Sequence, residues 1–443
     1  MIRILILLCL FCANSWASVN IERWQTKNGT QVLFVNSPNV PMLDIKVAFK
    51  AGSAFEGKHY GLSALTTDLL DQGSKNKSAD EIADILANSG AQVNSNTTRD
   101  MAIISLRTLT EPKALAPALT AFELVLNHPS FPSKAFEREK EQQIAAIKQN
   151  HESPNTLANE AFFAKLYGKH PYAHPVLGTA ESVSQLKQND AKQFYNRYFV
   201  GKNATMAIVG AISKQQAMGI AEQLTHAKKP GKKAQDIKPA KELSRPVTQS
   251  LRFPSSQTAI RIGQLGITHH NPDYFPLMVG NYTLGGGSLV SRLAYEIREQ
   301  RGLSYNVSSA FIPMPARGPF IINLATKSLQ AQRATDVTLA TLNTFIAQGP
   351  SQQELDAAKK YLTGSFPLSI ASNQNIAGML LKIGFYDLPM DFLSTYQDKV
   401  TAVTQQQIKQ AFSKQLHTKQ LVQISVGKPA MPQDKSKGAK LAK

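Results

Sequence analysis

Cysteine is almost absent from this sequence. The 443 residues include two cysteines, Cys9 and Cys12, and both lie within the first 17 residues. That segment has one positive charge, a short apolar run and small residues before Ala17, which is the layout of a secretory signal peptide over 1–17. We therefore expect an exported, periplasmic protein, with an N-terminal membrane anchor as the alternative. Without the signal peptide no cysteine remains, which excludes disulfides and a catalytic thiol.

Several catalytic and membrane-spanning signatures are missing as well. No later segment approaches the roughly 20 consecutive apolar residues of a transmembrane helix. The sequence has no Gly-x-Ser-x-Gly elbow and no phosphate-binding loop, so it offers no nucleophile or nucleotide site of those kinds. Because no base-stacking aromatic motif accompanies the basic stretches, we do not expect nucleic acid as a partner.

Positive charge is in excess, and much of it lies in two short segments. Of the formal net charge of +18, residues 226–245 contribute +5 (seven basic against two acidic residues) and residues 428–443 contribute +4 (five against one). Half of the excess, 9 of 18 charges, therefore lies in a linker and a tail, where a solvated charge run is the usual state. Any contact made by these segments is expected with an anionic envelope surface or a partner protein.

The chain is too long for a single hydrophobic core, since such cores stop growing at roughly 250–300 residues. The Lys-, Pro- and Gly-rich stretch 226–246 lacks apolar periodicity and is the best candidate for a linker. We therefore predict an N-terminal domain over 18–225, a C-terminal domain over 247–430 and a basic tail over 431–443.

The two halves resemble each other, which indicates an internal duplication. Each half begins with strand-like alternation, as in residues 43–49, and continues with helical patterns, as in residues 134–150. The expected fold class is α+β, with two homologous lobes that each pack helices on a mostly antiparallel sheet. Apolar positions recur at an offset of 217 residues, pairing Val183, Leu186, Ala191, Tyr195 and Val209 with Val400, Val403, Ile408, Phe412 and Val426.

One segment of the first half carries a motif. Residues 51–74 run from an Ala-Gly-Ser strand end through a loop to a Gly-Leu pair and a helical pattern. They resemble the zinc-binding segment of the inverzincin metallopeptidases, the family of pitrilysin, insulinase and the mitochondrial processing peptidase. In that family the helix carries H-x-x-E-H, in which two histidines bind zinc and the glutamate activates water. The same positions here hold Ala64, Thr67 and Asp68, so the resemblance implies a degenerate site.

The third zinc ligand of the family is a glutamate on a later helix, which residues 136–147 resemble. The family's glutamates fall on Ala145 and Ala146. Because Asp68 alone cannot supply the three protein ligands of a catalytic zinc, we expect this chain to bind no cofactor and the zinc to lie in a partner subunit. Asp68 and the threonines beside it would then be a polar remnant or a helix–helix hydrogen-bonding group.

Other candidate metal ligands are weaker. His170 and His174 are four residues apart, but the prolines around them prevent the helix that would place both imidazoles on one face. Similar segments of the family form a structural loop. His269 and His270 precede a turn, which favours contacts with solvent or with a helix cap.

The second half contains a Gly-rich turn, a helix and an Arg-x6-Tyr pair. This motif resembles that of the family's C-terminal domain, which implies that Arg298 and Tyr305 reach an active site in trans and hold the substrate and its oxyanion. Alternatively, Arg298 belongs to a solvated helix face and Tyr305 to a strand. The glycines before them form either a flexible substrate-contact loop or a tight turn, and these are Gly285, Gly286 and Gly287.

The lost ligands of one half and the retained Arg298 and Tyr305 of the other favour one function. We expect a non-catalytic, substrate-binding subunit of an exported heterodimeric zinc peptidase, which holds extended peptides and pairs with a zinc-bearing homologue. One alternative is a catalytically inactive peptide-binding or structural scaffold without a peptidase partner. A further alternative is a divergent active metallopeptidase.

Overall fold

Two sheets and their helices make up residues 20–428, the part of the chain described by the computed structural model. The strands of the first lobe are β1 (Glu22–Gln25), β2 (Gln31–Asn36), β3 (Met42–Phe49), β4 (Gln92–Thr97), β5 (Ala102–Leu109) and β6 (Ala204–Gly210). Those of the second are β7 (Val247–Arg252), β8 (Gln257–Leu265), β9 (Val307–Phe311), β10 (Pro319–Lys327) and β11 (Val422–Gly427). The predicted signal peptide over 1–17 and the tail over 431–443 lie outside the described residues.

Helices follow and separate the strands in both lobes. The helices of the first lobe are α1 (Leu62–Asp68), α2 (Ala79–Asn88), α3 (Pro112–Asn127), α4 (Ser133–Asn150), α5 (Pro154–Tyr167), α6 (Ala180–Ser184), α7 (Gln188–Tyr198) and α8 (Lys214–Thr225). Those of the second are α9 (Tyr274–Asn281), α10 (Arg292–Ala294), α11 (Ala331–Gln348), α12 (Gln352–Ser369), α13 (Asn373–Phe385), α14 (Phe392–Thr401) and α15 (Gln405–Gln415). Within residues 20–428 no helix is long and apolar enough to cross a bilayer.

The strand order repeats between the lobes. The first sheet has the order β1-β2-β6-β3-β5-β4 and the second β7-β11-β8-β10-β9. In each sheet one pair is parallel, β2 with β6 and β7 with β11, and the other pairs are antiparallel. Removing β1 leaves the same order and the same parallel pair in both. The predicted α+β class with two homologous, mostly antiparallel lobes is confirmed.

Strand β3 is buried on both faces. Leu43, Ile45 and Val47 point into the core that contains α1, as their alternation predicts. Ala48, on the opposite face, packs in a second core together with residues of α13. A half-buried strand was the expectation, and the difference arises because a helix from the other lobe covers the remaining face.

The lobes exchange one helix each. Helix α5 belongs to the first lobe but packs on β8 and β11, whereas α13 belongs to the second lobe and packs on β3 and β6. The two helices occupy the same place in their halves, each as the third in a run of three after the antiparallel strands. The contacts are close, since a Cβ on Gly263 of β8 would lie 2.9 Å from Phe162. The two halves therefore interlock through a pair of equivalent helices.

The basic segment 226–246 contains no helix or strand, but it is not uniformly solvated. Lys228 is buried, its Nζ donates to the hydroxyl of Tyr195 at 2.9 Å, and it also donates to the carbonyl of Leu126. The backbone N–H of Ala234 donates to Asn203 Oδ1 at 2.7 Å. The expectation of a fully solvated charge run is wrong for Lys228, whose apolar stem and ammonium fill a gap beside the first core.

Candidate functional site

The start of helix α1 is fixed by a buried carboxyl group. Gly61 precedes the helix with a φ of 92°, which suits glycine. The two carboxyl oxygens of Glu56 accept hydrogen bonds from the backbone N–H groups of Gly61 and Ser63, both at 2.8 Å. Burial raises the pKa of Glu56 to about 8, against the lowering effect of these two hydrogen bonds. Glu56 therefore fixes the first turn of the helix through both oxygens of its carboxyl group.

His170 and His174 flank a 3-10 turn, and His174 lies beside this carboxyl group. The turn spans Pro171–Ala173, and the ring of His174 stacks on Tyr60 at 4.2 Å. His174 Nδ1 lies 3.5 Å from Glu56, and burial lowers the pKa of His174, which favours the neutral imidazole. This segment supports the loop before α1 and does not gather metal ligands.

The positions that resemble the zinc-binding helix hold no imidazole. Ala64 and Thr67 are buried, and Thr67 Oγ1 donates to the Ser63 carbonyl one turn earlier at 2.8 Å. Asp68 is exposed and accepts a hydrogen bond from Ser95 Oγ of strand β4 at 3.1 Å. The hypothesis of a helix–helix hydrogen bond at Asp68 is therefore wrong, because its partner lies on the edge strand.

Helix α4 still approaches α1, but through an amide. Gln143 Nε2 donates to the Gly61 carbonyl at 3.0 Å and to the Leu177 carbonyl at 2.8 Å. Partial desolvation of the Asp68 carboxyl group, whose outer surface stays exposed, raises its pKa; the hydrogen bond from Ser95 acts against this rise, and the charge of Glu139, one turn before Gln143, adds to it. Ala146 follows Glu139 by two helical turns and so shares its face, whereas Ala145 is exposed beside it. The family's zinc glutamate therefore corresponds better to Ala146 than to Ala145.

The donor set does not fit a zinc ion. A catalytic zinc takes three protein ligands, which are mainly imidazole, thiolate or carboxylate groups. Of the positions Ala64, Thr67, Asp68 and Ala146, only Asp68 has a side chain able to bind a metal. Across residues 20–428 no group of three or more His, Cys, Asp or Glu side chains is arranged to hold a metal ion.

The Arg-x6-Tyr motif of the second lobe lies on a π-helical turn, Tyr295–Glu299, and the loop after it. The Arg298 carbonyl accepts from the backbone N–H of Gly302, which has a φ of 57° and ends the turn. Tyr305 lies two residues before β9. It is 85% exposed, and its side chain makes no hydrogen bond within the described residues. Its hydroxyl is thus directed to solvent.

Three arginines lie on this segment and have different environments. Arg292 forms a bidentate pair with Glu354, both contacts at 2.6 Å, and Arg301 pairs with Glu296. The side chain of Arg298 is 36% exposed and meets only its neighbour Glu299, with Nε 3.7 Å from the carboxylate. Arg292 and Arg301 therefore stabilise the fold, and only the guanidinium of Arg298 remains available to a ligand.

The three glycines lie in and directly after a π-helical turn, Tyr282–Gly286. A Cβ at Gly285 would lie 2.4 Å from Ser309 Oγ, one at Gly286 2.8 Å from Asn281 Nδ2, and one at Gly287 2.8 Å from the Tyr282 carbonyl. Close packing at all three positions argues against the flexible loop, and the turn that replaces it is π-helical.

The turn leads to an exposed apolar tip that the sequence analysis missed. Leu289 is 56% and Val290 73% exposed. Such apolar side chains favour contact with another chain. Since a helical pattern runs through residues 288–299, their outward orientation could not be recognised from periodicity.

The outer strands β4 and β9 each pair with a single neighbour in the described part of the chain. Strand β4 is polar and largely exposed, and it runs beside α1. Strand β9 begins directly after the loop that contains Tyr305. An unpaired edge offers backbone N–H and C=O groups to an extended peptide.

Comparison with known proteins identifies the family. A model described as insulinase, peptidase family M16, matches residues 31–180, and one described as peptidase M16 inactive domain matches residues 185–362. A crystal structure of a peptidase M16 inactive domain from Pseudomonas fluorescens is 36% identical, covers 94% of this chain and 100% of that chain, and has a TM-score of 0.90. This chain belongs to the M16 peptidase family. The resemblance to the pitrilysin and insulinase peptidases is confirmed.

Some M16 relatives of this chain are named as proteases and others as non-peptidase homologues. The non-peptidase homolog YmxG of Helicobacter pylori is 28% identical over 390 residues, which cover 85% of this chain and 87% of that protein. The uncharacterized zinc protease YmxG of Bacillus subtilis is 26% identical over 359 residues, which cover 80% and 86%. With Ala64, Thr67 and Asp68 at the ligand and base positions, this chain is an M16 member of the inactive type.

Proposed function

We propose that this chain is the non-catalytic, substrate-binding subunit of an exported heterodimeric zinc peptidase and pairs with a zinc-bearing M16 homologue. The observation that carries the proposal is the contrast between the lobes. The first lobe lacks the zinc ligands, whereas the second presents Arg298 and Tyr305, whose side chains make no hydrogen bond within residues 20–428, with only Glu299 at 3.7 Å from the guanidinium.

Guanidinium and phenol groups suit the chemistry of peptide hydrolysis. When water adds to a peptide carbonyl, negative charge develops on the oxygen, and hydrogen-bond donors placed there lower the barrier. An arginine remains charged at all relevant pH values and can orient the substrate backbone as well. In the proposed complex the partner holds the zinc and its water, while Arg298 and Tyr305 donate to the substrate from this subunit.

The peptide itself is proposed to bind in an extended form. Strand β4 offers a free backbone edge with small polar side chains next to the degenerate helix. The apolar tip at Leu289 and Val290 supplies exposed surface for the partner or for apolar side chains of the peptide. Main-chain hydrogen bonds along an edge bind many sequences, so the substrate class is extended or unfolded peptides.

Export is part of the same proposal. The first 17 residues have the composition of a signal peptide, and the basic residues outside the lobes would favour an anionic envelope surface. Fractionation of the cell envelope, followed by N-terminal sequencing of the mature chain, tests both points.

Reconstitution tests the function. The tagged chain is isolated from the envelope of its native cell, any co-purifying M16 homologue that carries H-x-x-E-H is identified, and cleavage of unfolded peptides by the pair is measured. Arg298→Ala and Tyr305→Phe are expected to lower kcat by roughly 10²–10³-fold, the loss seen when one oxyanion donor is removed. Arg333→Ala and Tyr361→Phe, which alter exposed residues outside the Arg-x6-Tyr segment, serve as matched controls, and Tyr361→Phe keeps the ring that stacks on Tyr282.

The outcomes separate the alternatives. Full activity of the pair with both Arg298→Ala and Tyr305→Phe contradicts the role of these residues. Peptide binding without any co-purifying homologue supports the scaffold hypothesis. Stoichiometric zinc in the isolated chain, together with chelator-sensitive cleavage, supports a divergent active metallopeptidase.

A further inference from the structure

A cavity of about 470 Å³ lies between the two lobes, on the face of the first sheet that is opposite α1. It is bounded by β3 and β5 of the first lobe and by α9, α13 and the end of β9 of the second. Most of its wall is apolar, and the side chains that form it include Met101, Ile103, Met278, Phe311, Leu381 and Tyr386. Ligand pockets of small molecules commonly have volumes of about 300–1,000 Å³ and walls of this kind.

Two lysines reach this cavity from opposite lobes. Lys46 projects from β3, and Lys382 projects from α13 one turn after Gly378. Lys46 Nζ lies 3.9 Å from the point that a Cβ on Gly378 would occupy, so the ammonium fills space that the glycine leaves open. Lys382 therefore lies about one helical turn from the Lys46 ammonium, and both groups face the same space.

Neither ammonium has a counterion among residues 20–428. No carboxylate lies within 4.0 Å of Lys46 or Lys382. Lys382 is half-buried, and burial alone lowers its pKa. Cations are seldom withdrawn from water without a partner, because the desolvation cost is not offset. Lys46 is half-buried as well, and two half-buried cations at one apolar cavity, without a carboxylate nearby among the described residues, favour an anionic ligand.

A third polar group in the cavity wall also lacks a partner. The ring of His269 stacks on Tyr386 at 3.8 Å, and within the described residues neither of its nitrogens makes a hydrogen bond. Burial, with smaller contributions from Lys382 and His270, lowers the pKa of His269 to about 3. The ring is therefore neutral, and it has one N–H to donate and one nitrogen to accept. The prediction of solvent or cap contacts for His269 is wrong, since both ring nitrogens are buried and contact neither water nor a helix cap among residues 20–428.

We infer that this cavity binds a fatty-acid-type ligand, with its carboxylate between Lys46 and Lys382 and its hydrocarbon chain against the apolar wall. The apolar lining favours a hydrocarbon body over a sugar or nucleotide. Charge-assisted hydrogen bonds from two ammonium groups suit a single carboxylate. The inference does not depend on the proposed peptidase complex, because the cavity is formed by this chain alone.

Direct binding to the mature chain tests the assignment. Decanoate is titrated by calorimetry beside decanol, which has the same chain without the charge, and acetate, which has the charge without the chain. We expect decanoate to bind at least about tenfold more tightly than either, since one hydrogen bond to a charged group contributes roughly a tenfold to hundredfold effect. Equal binding of decanoate and decanol would overturn the inference.

Substitutions then locate the site. Lys46→Gln and Lys382→Gln are each expected to weaken decanoate binding about tenfold or more, while Lys360→Gln, an exposed lysine of α12, has no effect. Lys382→Met provides a second readout that unfolding cannot mimic. It should raise the thermal midpoint of the ligand-free chain, because it removes a half-buried cation that has no carboxylate partner among the described residues, and abolish the stabilisation by decanoate.

Two results would contradict the assignment at this stage. If Lys382→Met lowers the thermal midpoint and leaves decanoate binding intact, the lysine serves the fold. If an apolar peptide with a free C-terminal carboxylate binds more tightly than decanoate, the cavity takes peptide ends and the fatty-acid assignment is wrong.

Discussion

The hydroxyl of Tyr172 donates to Asp100 Oδ1 at 2.7 Å, and both side chains are buried. From the second lobe Tyr386 donates to the other oxygen of the same carboxylate at 3.3 Å. Asp100 thus joins the lobes at a point where each contributes one tyrosine. Burial raises the pKa of Asp100 to about 6, although the two hydrogen bonds and the charge of Arg99 act in the opposite direction.

The first prediction concerns the pH dependence that Asp100 imposes. Its pKa is higher in the folded chain than the ordinary value of 3.8, so between about pH 4 and 6 the folded state holds a proton that the unfolded state has lost. The free energy of unfolding should therefore fall as the pH rises through this window, by roughly 1–3 kcal/mol from this group. Asp100→Asn removes that component, and urea unfolding at pH 4 and pH 7 measures it.

Asp84→Asn, an exposed aspartate on α2, is the matched control and should retain the pH dependence of the wild-type chain. Tyr172→Phe should cost about 1–3 kcal/mol at pH 7, because it leaves a buried carboxylate short of a donor. An identical pH profile for Asp100→Asn and the wild-type chain would show that Asp100 is not the responsible group.

Much of the fold could be predicted from local patterns. The strand β3 and the helix α4 follow from apolar spacing within a few residues, and the constant offset between the halves anticipates the repeated sheet order. The exchange of α5 and α13 could not be predicted, because an apolar helix face does not specify which sheet it covers. The packing of Gly384 against Leu33, from opposite lobes, exists only in the folded chain.

The parts of the candidate site that follow from a sequence motif could be predicted. The parts that depend on which side chains are buried or paired in the fold could not. The loss of ligands at Ala64 and Asp68 is visible in the sequence. The availability of Arg298 is not visible, since its neighbours Arg292 and Arg301 look equivalent to it until Glu354 and Glu296 are placed beside them. A charged residue in a linker is likewise expected to be exposed to solvent. Lys228 is an exception because its side chain points into the fold and donates to Tyr195.

A second prediction follows from Lys228, whose pKa burial lowers to about 7. Between about pH 7 and 10 the unfolded chain holds a proton on this amine that the folded chain does not. The free energy of unfolding should therefore rise with pH, by at most about 1.4 kcal/mol per pH unit from this group. Lys228→Met removes the rise and should stabilise the chain at pH 7, because Tyr195 still donates to the Leu126 carbonyl at 2.7 Å.

The exposed neighbour Lys229 supplies the control. Urea unfolding of Lys228→Met, Lys229→Met and the wild-type chain at pH 7 and pH 9 distinguishes them. A parallel pH response of all three chains would mean that Lys228 stays protonated when folded.

The third prediction concerns zinc. The purified chain should contain no stoichiometric zinc, since only Asp68 among the four family positions can bind it. A variant with Ala64→His, Thr67→Glu, Asp68→His and Ala146→Glu rebuilds the family's ligand set. Because Ala64 and Thr67 are buried, the larger side chains should lower the thermal midpoint of the metal-free variant, at a cost of about 1–3 kcal/mol per overpacked site.

Added zinc should then raise that midpoint, because it binds only the folded state. The matched variant has Ala145→Glu in place of Ala146→Glu and should respond less, since position 145 does not share the face of Glu139. Metal analysis after dialysis supplies the second measurement. An equal response of the two variants contradicts the assignment of Ala146 as the ligand position.

The fourth prediction tests how tightly the exchanged helix α13 is seated on the first sheet. A Cβ on Gly384 would lie 2.4 Å from Leu33 Cδ1 and 2.7 Å from Thr205 Cγ2, both from the other lobe. Gly384→Ala should therefore destabilise the chain by about 1–3 kcal/mol through overpacking. Gly364 lies in α12 with no atom within 4 Å of its Cβ position, so Gly364→Ala should stabilise by up to about 1 kcal/mol. Opposite shifts of the urea midpoint for these two helical glycines are the expected result. Stabilisation by both would mean that α13 can move away from the sheet at little cost, and the lobes would then be joined more loosely than their interlocked packing indicates.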